Sequence, residues 1–505
     1  MTFPLLTLLG LVPLVGALVT FALKGAAAKY AGIAFSLVTL AMGVWAFALS
    51  ASGTGFDERY TWIRAIGAHW SLGSDTLSMT MVLLTVIVVP IVLLAEWTIG
   101  DDPESGRGST GAFFALALML ESFALYCFMA TDTLLFYLFF EATLIPMYFL
   151  IGRWGGPKRG QAALKFLLYS LAGGLVMLFS VVGVGAEAAK TGQASFLVSD
   201  LAAANIDQGT WGRLLFLGFF IAFAIKAPMV PVHTWLPDTA EQASPGSSTL
   251  LVGILDKIGT FGMLRFCLAI FPDSSKWATP VILVLAVVSV IYGALMAIGS
   301  RDLLRLVSYT SISHFGIMVL GIFAFTSTSI QGSIFYMLNH GFSTAALFLV
   351  IGFLVKRRGS AQISAFGGVQ KTAPVLAGLF LVAGLSALSL PGTSSFISEY
   401  MVLAGSWQRQ PIFTAIAVLG MVLSALYILL AYQRTMTGPV TEQTETHVSV
   451  DLNLRERAVL VPLVALLLVF GFYPKPLVTP LEQPAKEAMS HVDMTDPETV
   501  VKGGN

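Results

Sequence analysis

Six titratable residues lie inside apolar stretches of the chain and can each take up and release a proton. They are Glu141, Lys226, Lys257, His314, His340 and Glu399. A charge within a membrane is energetically costly, so residues of this kind usually mark the path of an ion or proton. Their protonation would be coupled, because each charge alters the affinity of its neighbours for protons. The types and order of these residues predict a line of proton-carrying sites in the membrane plane.

Two of the six stand beside breaks in apolar segments. Lys226 ends the run LLFLGFFIAFAI, and three prolines follow between residues 228 and 237. Proline interrupts a helix because it has no N–H to donate. Glu399 follows a second break at Pro391 and Gly392, at about the place in the second half that Lys226 has in the first. Broken helices beside charged groups are typical of ion sites in transporters.

Glu141 and a second carboxyl, Glu121, lie on either side of the connection MATDT. Each is ten residues from Thr131, which corresponds to about 15 Å along a helix, near the middle of the hydrocarbon core. Two carboxyls at one depth on adjacent helices are expected to face protein. The alternative is that each is a neutral acid bonded to a neighbouring helix. Pro146, one turn beyond Glu141, should loosen the backbone there and favours a functional role for Glu141.

Lys257 lies in the middle of the segment STLLVGILDKIGTFGMLRF. A buried lysine can gain and lose a proton under working conditions. Its neighbour Asp256 would affect this by stabilising charge nearby, although adjacent residues of a helix do not face each other, so that Asp256 can serve a different partner. The alternative for both Lys257 and Lys226 is a static ion pair that locks helices together.

His314, in SYTSISHFG, and His340, in YMLNHGFS, fall in consecutive apolar segments rich in hydroxyl groups. Histidine relays protons well because its charge changes near neutral pH. Each histidine alone could instead be a satisfied structural group, and haem ligation has weaker support. Two such segments in succession favour the relay.

A secondary group of candidates comprises Glu121, Asp256, Lys165 and His233. Lys165 lies early in its apolar segment, so it either extends to the cytoplasmic surface or acts on Glu141 from the next helix.

Composition identifies a polytopic membrane protein. Of 505 residues, 56% are hydrophobic and 11% are charged, whereas soluble proteins carry roughly 25% charged residues. The 28 basic and 28 acidic residues balance, so nothing indicates a nucleic-acid surface. The two cysteines, Cys127 and Cys267, have no spacing that suits an iron–sulfur cluster or zinc, and we interpret both as packing residues.

Counting runs of about 20 apolar residues predicts an all-α protein with about fourteen transmembrane spans. The spans are 4–23, 30–50, 76–98, 112–129, 133–152, 163–186, 211–240, 248–270, 278–299, 302–324, 330–354, 372–408, 411–434 and 457–473. The seventh and twelfth are unusually long and interrupted by proline and glycine. No basic residue precedes the first apolar run, so we interpret it as a retained span rather than a cleaved signal peptide.

The basic residues predict the orientation. Fifteen of the 28 Lys and Arg residues fall in odd-numbered connections and ten in even-numbered ones or the tail, with three inside spans. Basic residues favour the cytoplasmic side, so both termini are expected outside the cytoplasm.

One integral domain, 1–505, is expected, with two internal units. The interrupted spans are five apart, so residues 112–270 and 278–434 are predicted to be five-helix repeats. An odd number of helices per unit would make the two copies inverted in the membrane, as in many transporters.

Long stretches of the chain resemble a known family. They are FFEATLIPMYFLIGRWGG, AFAIKAPMVPVHTWLPDTAEQASPGSS, DKIGTFGMLRF, SYTSISHFG, LNHGFSTAALFL and LPGTSSFISEY. Together they are similar to the antiporter-like subunits of proton-pumping NADH:quinone oxidoreductase (respiratory complex I), and among these to subunit M. Glu399, where the relatives generally have lysine, and a short C-terminal tail favour subunit M. Asp256 departs from the pattern, since similar sequences usually have an apolar residue there.

The resemblance implies roles that the residues alone leave open. It makes Glu141 and Lys226 a charge pair, Lys257 the central lysine, and Glu399 the terminal site of the second half. It implies no cofactor in this chain, with FMN, iron–sulfur clusters and quinone in partner subunits. Membrane neighbours, subunits L and N among them, and lipid are the implied partners, in a bacterial cytoplasmic membrane. The alternatives are a subunit of a multi-subunit sodium/proton antiporter, or a purely structural scaffold.

Overall fold

The computed structural model describes residues 4–101, 108–190, 192 and 194–498. Arg107 and Lys502, which enter the distribution of basic residues above, lie outside the described residues.

The first part of the chain forms two flanking helices, a small hairpin and the helices that carry Glu121 and Glu141. The elements are α1 Leu5–Ala22, α2 Gly25–Ala51, β1 Glu58–Ile63, β2 Ala68–Leu72, α3 Thr76–Ala95, α4 Thr110–Met129, α5 Thr133–Ala142, α6 Leu144–Trp154, α7 Arg159–Lys190 and α8 Val198–Ala203. The strands pair antiparallel. The carboxylate of Glu58 accepts hydrogen bonds from the N–H of Leu6 at 2.6 Å and the hydroxyl of Thr7 at 2.5 Å, which ties the hairpin to the start of α1.

The middle of the chain contains the first break. Its elements are α9 Gly209–Lys226, α10 Trp235–Gln242, α11 Pro245–Leu250, a π-helical segment Leu251–Leu255, α12 Lys257–Gly262, a second π-helical segment Met263–Cys267, α13 Leu268–Ile270 and α14 Pro272–Gly299. Helix α9 ends at Lys226, as the prolines that follow it predict. The π-helical turns lie on either side of the segment that carries Lys257, and such turns are frequent at functional sites.

The last part of the chain contains the two histidine helices and the second break. Its elements are α15 Leu303–Phe323, α16 Ser327–Arg358, α17 Val369–Thr372, α18 Pro374–Ala387, α19 Ser394–Trp407, α20 Pro411–Met436, α21 Glu442–His447, α22 Leu454–Phe472, α23 Lys475–Val478 and α24 Glu482–His491. The tail turns back toward the bundle, where the carbonyl of Pro480 accepts a hydrogen bond from Thr76 at 3.0 Å.

Eleven helices of the described ranges are long and apolar enough to cross a membrane. A twelfth crossing is gained if α22 and the segment Lys475–His491, bent by 87°, form one span. The predicted fourteen is not reached by this measure, for two physical reasons. The predicted span 248–270 is divided by π-helical turns, and the predicted span 372–408 is divided into α18 and α19.

The histidine helices occupy the centre of the bundle. Helix α15 is buried along its whole membrane-spanning length and α16 along most of it, whereas α2 and α20 are largely unburied. The polar side chains of α15 and α16 are therefore enclosed by protein, while the outer helices present apolar side chains such as Leu18, Phe179 and Ile412 on the flanks.

Candidate functional site: a line of buried titratable groups

Lys226 lies at the C-terminal end of α9, where the helix breaks. Its side chain is buried, and within the described part of the chain its Nζ has no hydrogen-bond partner. The amine lies over the rings of Phe140, 5.0 Å from the centroid, and Phe166, 5.7 Å from the centroid. The negative faces of these rings attract the ammonium.

Glu141 lies near the end of α5, two residues before the interruption at Thr143. Pro146 causes that interruption, because it cannot donate to the carbonyl one turn earlier. The Glu141 carboxylate packs against Gly174 of α7, where a Cβ would collide with Oε1. Glycine at this position therefore leaves space for the carboxylate. The interruption of the helix at Thr143 agrees with the expectation that Pro146 loosens the backbone beside Glu141.

Glu141 and Lys226 interact across a gap. Neither hydrogen bond nor ion pair within 4.0 Å joins them among the described residues. The negative charges of Glu141 and Asp256 both attract the Lys226 ammonium. The pair implied by the resemblance is thus an electrostatic relationship of three groups rather than a contact of two.

Lys257 joins α12 to α16. Its Nζ lies 2.6 Å from the carbonyl oxygen of Val252 and 2.7 Å from Nδ1 of His340. While Lys257 is protonated, its ammonium can only donate, so Nδ1 accepts and the imidazole proton is on Nε2. Nε2 lies 3.3 Å from the hydroxyl of Thr344, one turn further along α16. Lys257 and His340 thus form a direct hydrogen-bonded link.

Two histidines and two tyrosines continue the line. The rings of His314 and His340 lie edge to face, with centroids 5.2 Å apart. His314 Nε2 lies 3.4 Å from the hydroxyl of Tyr427, and the ring of Tyr336 is 5.9 Å from that of His314. All four side chains are buried.

Glu399 ends the line, beside the second break. The hydroxyl of Tyr336 donates to Glu399 Oε2 at 3.2 Å, and the hydroxyl of Ser389 donates to the same oxygen. Ser389 lies in the break itself with a φ of +58°, a left-handed conformation that costs energy for a residue other than glycine. The break therefore serves to turn a hydroxyl group toward Glu399.

The secondary candidates are dispersed. Glu121 is buried, and its carboxylate has no hydrogen-bond partner in the described ranges. Lys165 forms an ion pair of 2.5 Å with Asp238 instead of acting on Glu141. The ring of His233 packs on Tyr292 with centroids 4.9 Å apart. Asp256, by contrast, directly precedes Lys257 in the chain, and the charges of Lys226 and Lys257 both act on it.

Sequence reasoning missed Tyr336 and Tyr427, which complete the line between His314 and Glu399. Tyr336 is four residues before His340 and therefore shares its helical face, a signal that was available. Tyr427 lies on the apolar helix α20 with no such signal. Also missed was the cluster in which Arg305 pairs with Asp238 at 2.8 Å and with Glu241 at 2.9 Å.

A cavity of about 510 Å³ lies between the ends of α3, α10 and α16. Its polar lining includes Glu96, Gln242, Ser244 and Lys356. The carboxylate of Glu96 accepts a hydrogen bond of 2.8 Å from the N–H of Gly246. No cluster of three or more His, Cys, Asp or Glu that would hold a metal occurs in the described residues.

Known proteins of one family are similar to this sequence over nearly its full length. The family model described as "NADH:quinone oxidoreductase/Mrp antiporter, TM" matches residues 130–424. The chain is 46% identical over 530 aligned positions to NADH-quinone oxidoreductase subunit M of Mycobacterium tuberculosis strain H37Rv, covering 98% of this chain and 95% of that protein. It is 37% identical to subunit M of Rhodobacter capsulatus over 440 positions, covering 86% and 84%.

Solved structures show the same fold. A chain of respiratory complex I from Thermus thermophilus with bound NADH superposes with a TM-score of 0.87 at 31% identity, covering 96% of this chain and 99% of that one. A chain of the Mrp complex from Dietzia sp. DQ12-45-1b superposes with a TM-score of 0.83 at 21% identity, covering 96% and 98%. The second likeness is one of fold alone.

Proposed function

The chain belongs to the family of NADH-quinone oxidoreductase subunit M, and from this premise we propose that it moves protons along its buried line of titratable groups. Glu141, Lys226, Lys257, His314, His340 and Glu399 would carry them. The observation that carries the proposal is the link from Lys257 to His340 at 2.7 Å, continued by His314 and Tyr336 to Glu399. Groups at these separations exchange protons directly or through one intervening water.

In the second half, the proton moves from Lys257 toward Glu399. The Lys257 ammonium donates to His340 Nδ1, and the proton on Nε2 is then free to leave toward the hydroxyl and imidazole groups around it. The hydroxyl of Tyr336 can both accept and donate a hydrogen bond, and it donates one to Glu399. Glu399 would release the proton on the side opposite to the cytoplasm.

In the first half, the Glu141 carboxylate stabilises the proton on Lys226. Weakening that attraction favours departure of the proton toward Lys257. The driving change reaches this chain from outside it, as an altered field or conformation at one flank. Lys165, His233 and Glu121 would lie at the margin of this route. Lys165 is paired with Asp238, His233 packs on Tyr292, and the Glu121 carboxylate has no hydrogen-bond partner among the described residues.

Redox chemistry takes place in other subunits under this proposal. Such an enzyme requires FMN, iron–sulfur clusters and quinone, and the chain itself would hold none of them. Other membrane subunits, with subunits L and N as flanking neighbours, and lipid would be its partners. The chain would lie in the bacterial inner membrane with both termini outside the cytoplasm.

We also propose that residues 112–270 and 278–434 are inverted repeats. Asp132 caps α5 by accepting from the N–H groups of Leu134 and Leu135, and Asp302 caps α15 by the same pattern with Leu304 and Arg305. Helix α5 would be the second helix of the first unit, and α15 the second of the next. The two caps precede spans that enter from opposite sides in the predicted orientation, as inversion requires.

A sodium/proton antiporter subunit is the alternative, favoured by the fold shared with the Mrp complex. Glu399, rather than lysine, at the second break and the high identity with subunit M favour the respiratory enzyme. Exchange of sodium for protons by the purified chain in liposomes would establish the alternative.

The test uses the assembled enzyme in membrane vesicles. Lys226→Ala, Lys257→Ala and Glu399→Gln are expected to lower NADH-driven acidification and quinone reduction together. Oxidation of NADH by an artificial acceptor that bypasses quinone should remain unchanged and reports intact assembly. Wild-type acidification and quinone reduction in all three variants would leave only the scaffold role.

A further inference from the structure

Asp256 is a fully buried carboxyl without a hydrogen bond. Its exposed fraction is 0%, and both carboxylate oxygens lack a hydrogen-bond partner among the residues that the structure describes. It directly follows the π-helical segment Leu251–Leu255 and precedes Lys257. A buried carboxylate left without hydrogen bonds is expensive, so its presence requires an explanation other than packing.

The helical segment that carries Asp256 packs on the break in α9. Asp256 and Gly259 are three residues apart and share one helical face. At Gly259 a Cβ would lie 2.5 Å from both the carbonyl oxygen of Phe223 and the N–H of Ala227. Because these two residues enclose Lys226 in sequence, the face that carries Asp256 packs directly on the end of α9.

Lys257 faces a different neighbour. It shares its face with Thr260, whose hydroxyl lies 2.9 Å from Sδ of Met337 on α16, and its own Nζ bonds to His340 of the same helix. This short segment thus contacts two partners, α9 through Gly259 and α16 through Lys257.

The electrostatics agree with this arrangement. The charged groups that act on Asp256 are Lys257 and Lys226. Asp256 is also one of the groups whose negative charge attracts Lys226. A static buried ion pair would need hydrogen bonds to its remaining lone pairs, and Asp256 makes none within the described ranges.

We propose that Asp256 is the group that passes the proton from Lys226 to Lys257, a step that rests on the proposed proton translocation and deepens it. The Lys226 ammonium gives its proton to the Asp256 carboxylate, leaving a neutral amine and a neutral acid. The acid then gives that proton to the neutral amine of Lys257, which becomes the ammonium that donates to His340. One proton moves and no electron is transferred. Asp256 is again a carboxylate, Lys257 returns to the neutral amine when it passes its proton to His340, and the next proton recharges Lys226.

A carboxylate bridge at this step would lower the repulsion between the charges of Lys226 and Lys257. Two ammonium groups in an apolar interior repel each other strongly. A carboxylate between them offsets the repulsion and accepts the proton before Lys257 must carry it. The π-helical turn before Asp256 gives the backbone a local irregularity that can reorient the carboxyl between the two amines.

The experiment compares Asp256→Asn, Asp256→Leu and Asp256→Glu in the assembled enzyme. Asn and Leu are expected to slow NADH-driven proton translocation by about tenfold or more, since one positioned proton-transfer group contributes about 10²–10⁴-fold. Glu is expected to restore at least half of the wild-type rate, a rescue that a packing role does not predict. The matched control is Asp207→Asn, which should pump normally. Asp207 is a buried carboxyl that accepts a hydrogen bond from the N–H of Ser274, and it precedes the end of α9 opposite to Lys226.

The outcomes separate this bridge from the proposed function. If Asp256→Asn and Asp256→Leu pump normally while Lys226→Ala and Lys257→Ala do not, the bridge is overturned and translocation stands. If the lysine variants also pump normally, the proposed function itself fails. If neither Asn nor Leu variant assembles, the solvent deuterium isotope effect on turnover of Asp256→Glu decides. An increase over wild type supports the bridge, and an unchanged value overturns it.

Discussion

Lys257 Nζ lies 2.7 Å from His340 Nδ1, across the contact between α12 and α16. This hydrogen bond joins the middle of the chain to its second half, and both side chains are fully buried. The lysine amine and the imidazole can each take up and release a proton, so this hydrogen bond would allow transfer in either direction. The geometry gives the proposed line one directly bonded step between two separate helices.

His340→Gln is expected to slow NADH-driven proton translocation strongly. The glutamine amide can replace the hydrogen bond to Lys257 but does not take up a proton, so a relay predicts a loss of about 10²-fold or more. Acidification of vesicles and quinone reduction measure it. His447→Gln, at an exposed histidine of α21, is the control. Normal pumping by His340→Gln with unchanged assembly would remove His340 from the line.

Gly174→Ala is expected to impair pumping without touching a titratable residue. A Cβ at Gly174 collides with the Glu141 carboxylate, so the carboxylate must move away from its place near Lys226. The loss should approach that of Glu141→Gln measured in the same vesicles. Gly160→Ala is the matched control on the same helix α7, because a Cβ there meets no atom within 4 Å.

A wild-type rate for Gly174→Ala beside a slowed Glu141→Gln would show that the position of the Glu141 carboxylate is not critical. Equal and normal rates for both variants would exclude Glu141 from the line.

The sequence predicted the elements of this site better than their contacts. The breaks after Lys226 and at Pro391 are confirmed because proline and glycine act through the local backbone. The predicted charge pair of Glu141 and Lys226 makes no hydrogen bond or ion pair within 4.0 Å among the described residues, since the distance between two side chains depends on how α5 and α9 pack. Tertiary packing also brought Tyr427 of α20 to His314, which no local pattern on α20 indicates.

Asp75→Asn is expected to lower the stability of the protein near neutral pH. Asp75 pairs with Arg265 at 2.5 Å. Burial opposes ionisation of Asp75, but the Arg265 charge and its hydrogen bond outweigh that effect and hold the pKa of Asp75 below its usual value. Loss of a hydrogen bond to a charged group costs about 2 kcal/mol. The apparent thermal midpoint of the purified complex measures the change.

The sign of the pH dependence follows from the lowered pKa. The stabilisation by ionised Asp75 is present above the ordinary aspartate pKa of about 3.9 and is lost as pH falls through the lower, folded-state value. The difference in thermal midpoint between wild type and Asp75→Asn should therefore be constant from about pH 7 to about pH 5 and narrow below that. A difference that widens toward acid would contradict the ion pair.

Ser389→Gly is expected to separate stability from proton transfer. The φ of +58° at Ser389 is strained for serine but free of strain for glycine. Relief of this strain should stabilise the break by about 0.4–1 kcal/mol. Loss of the serine hydrogen bond offsets part or all of that gain. The substitution also removes the hydroxyl that donates to Glu399. Pumping should therefore fall by about fivefold, equivalent to about 1 kcal/mol for one hydrogen bond, while the thermal midpoint of the complex changes little.

Ser389→Thr retains the hydroxyl and should retain pumping, although its β-branched side chain adds strain at positive φ. Wild-type pumping by Ser389→Gly would mean that Glu399 handles its proton without the hydroxyl that the break presents.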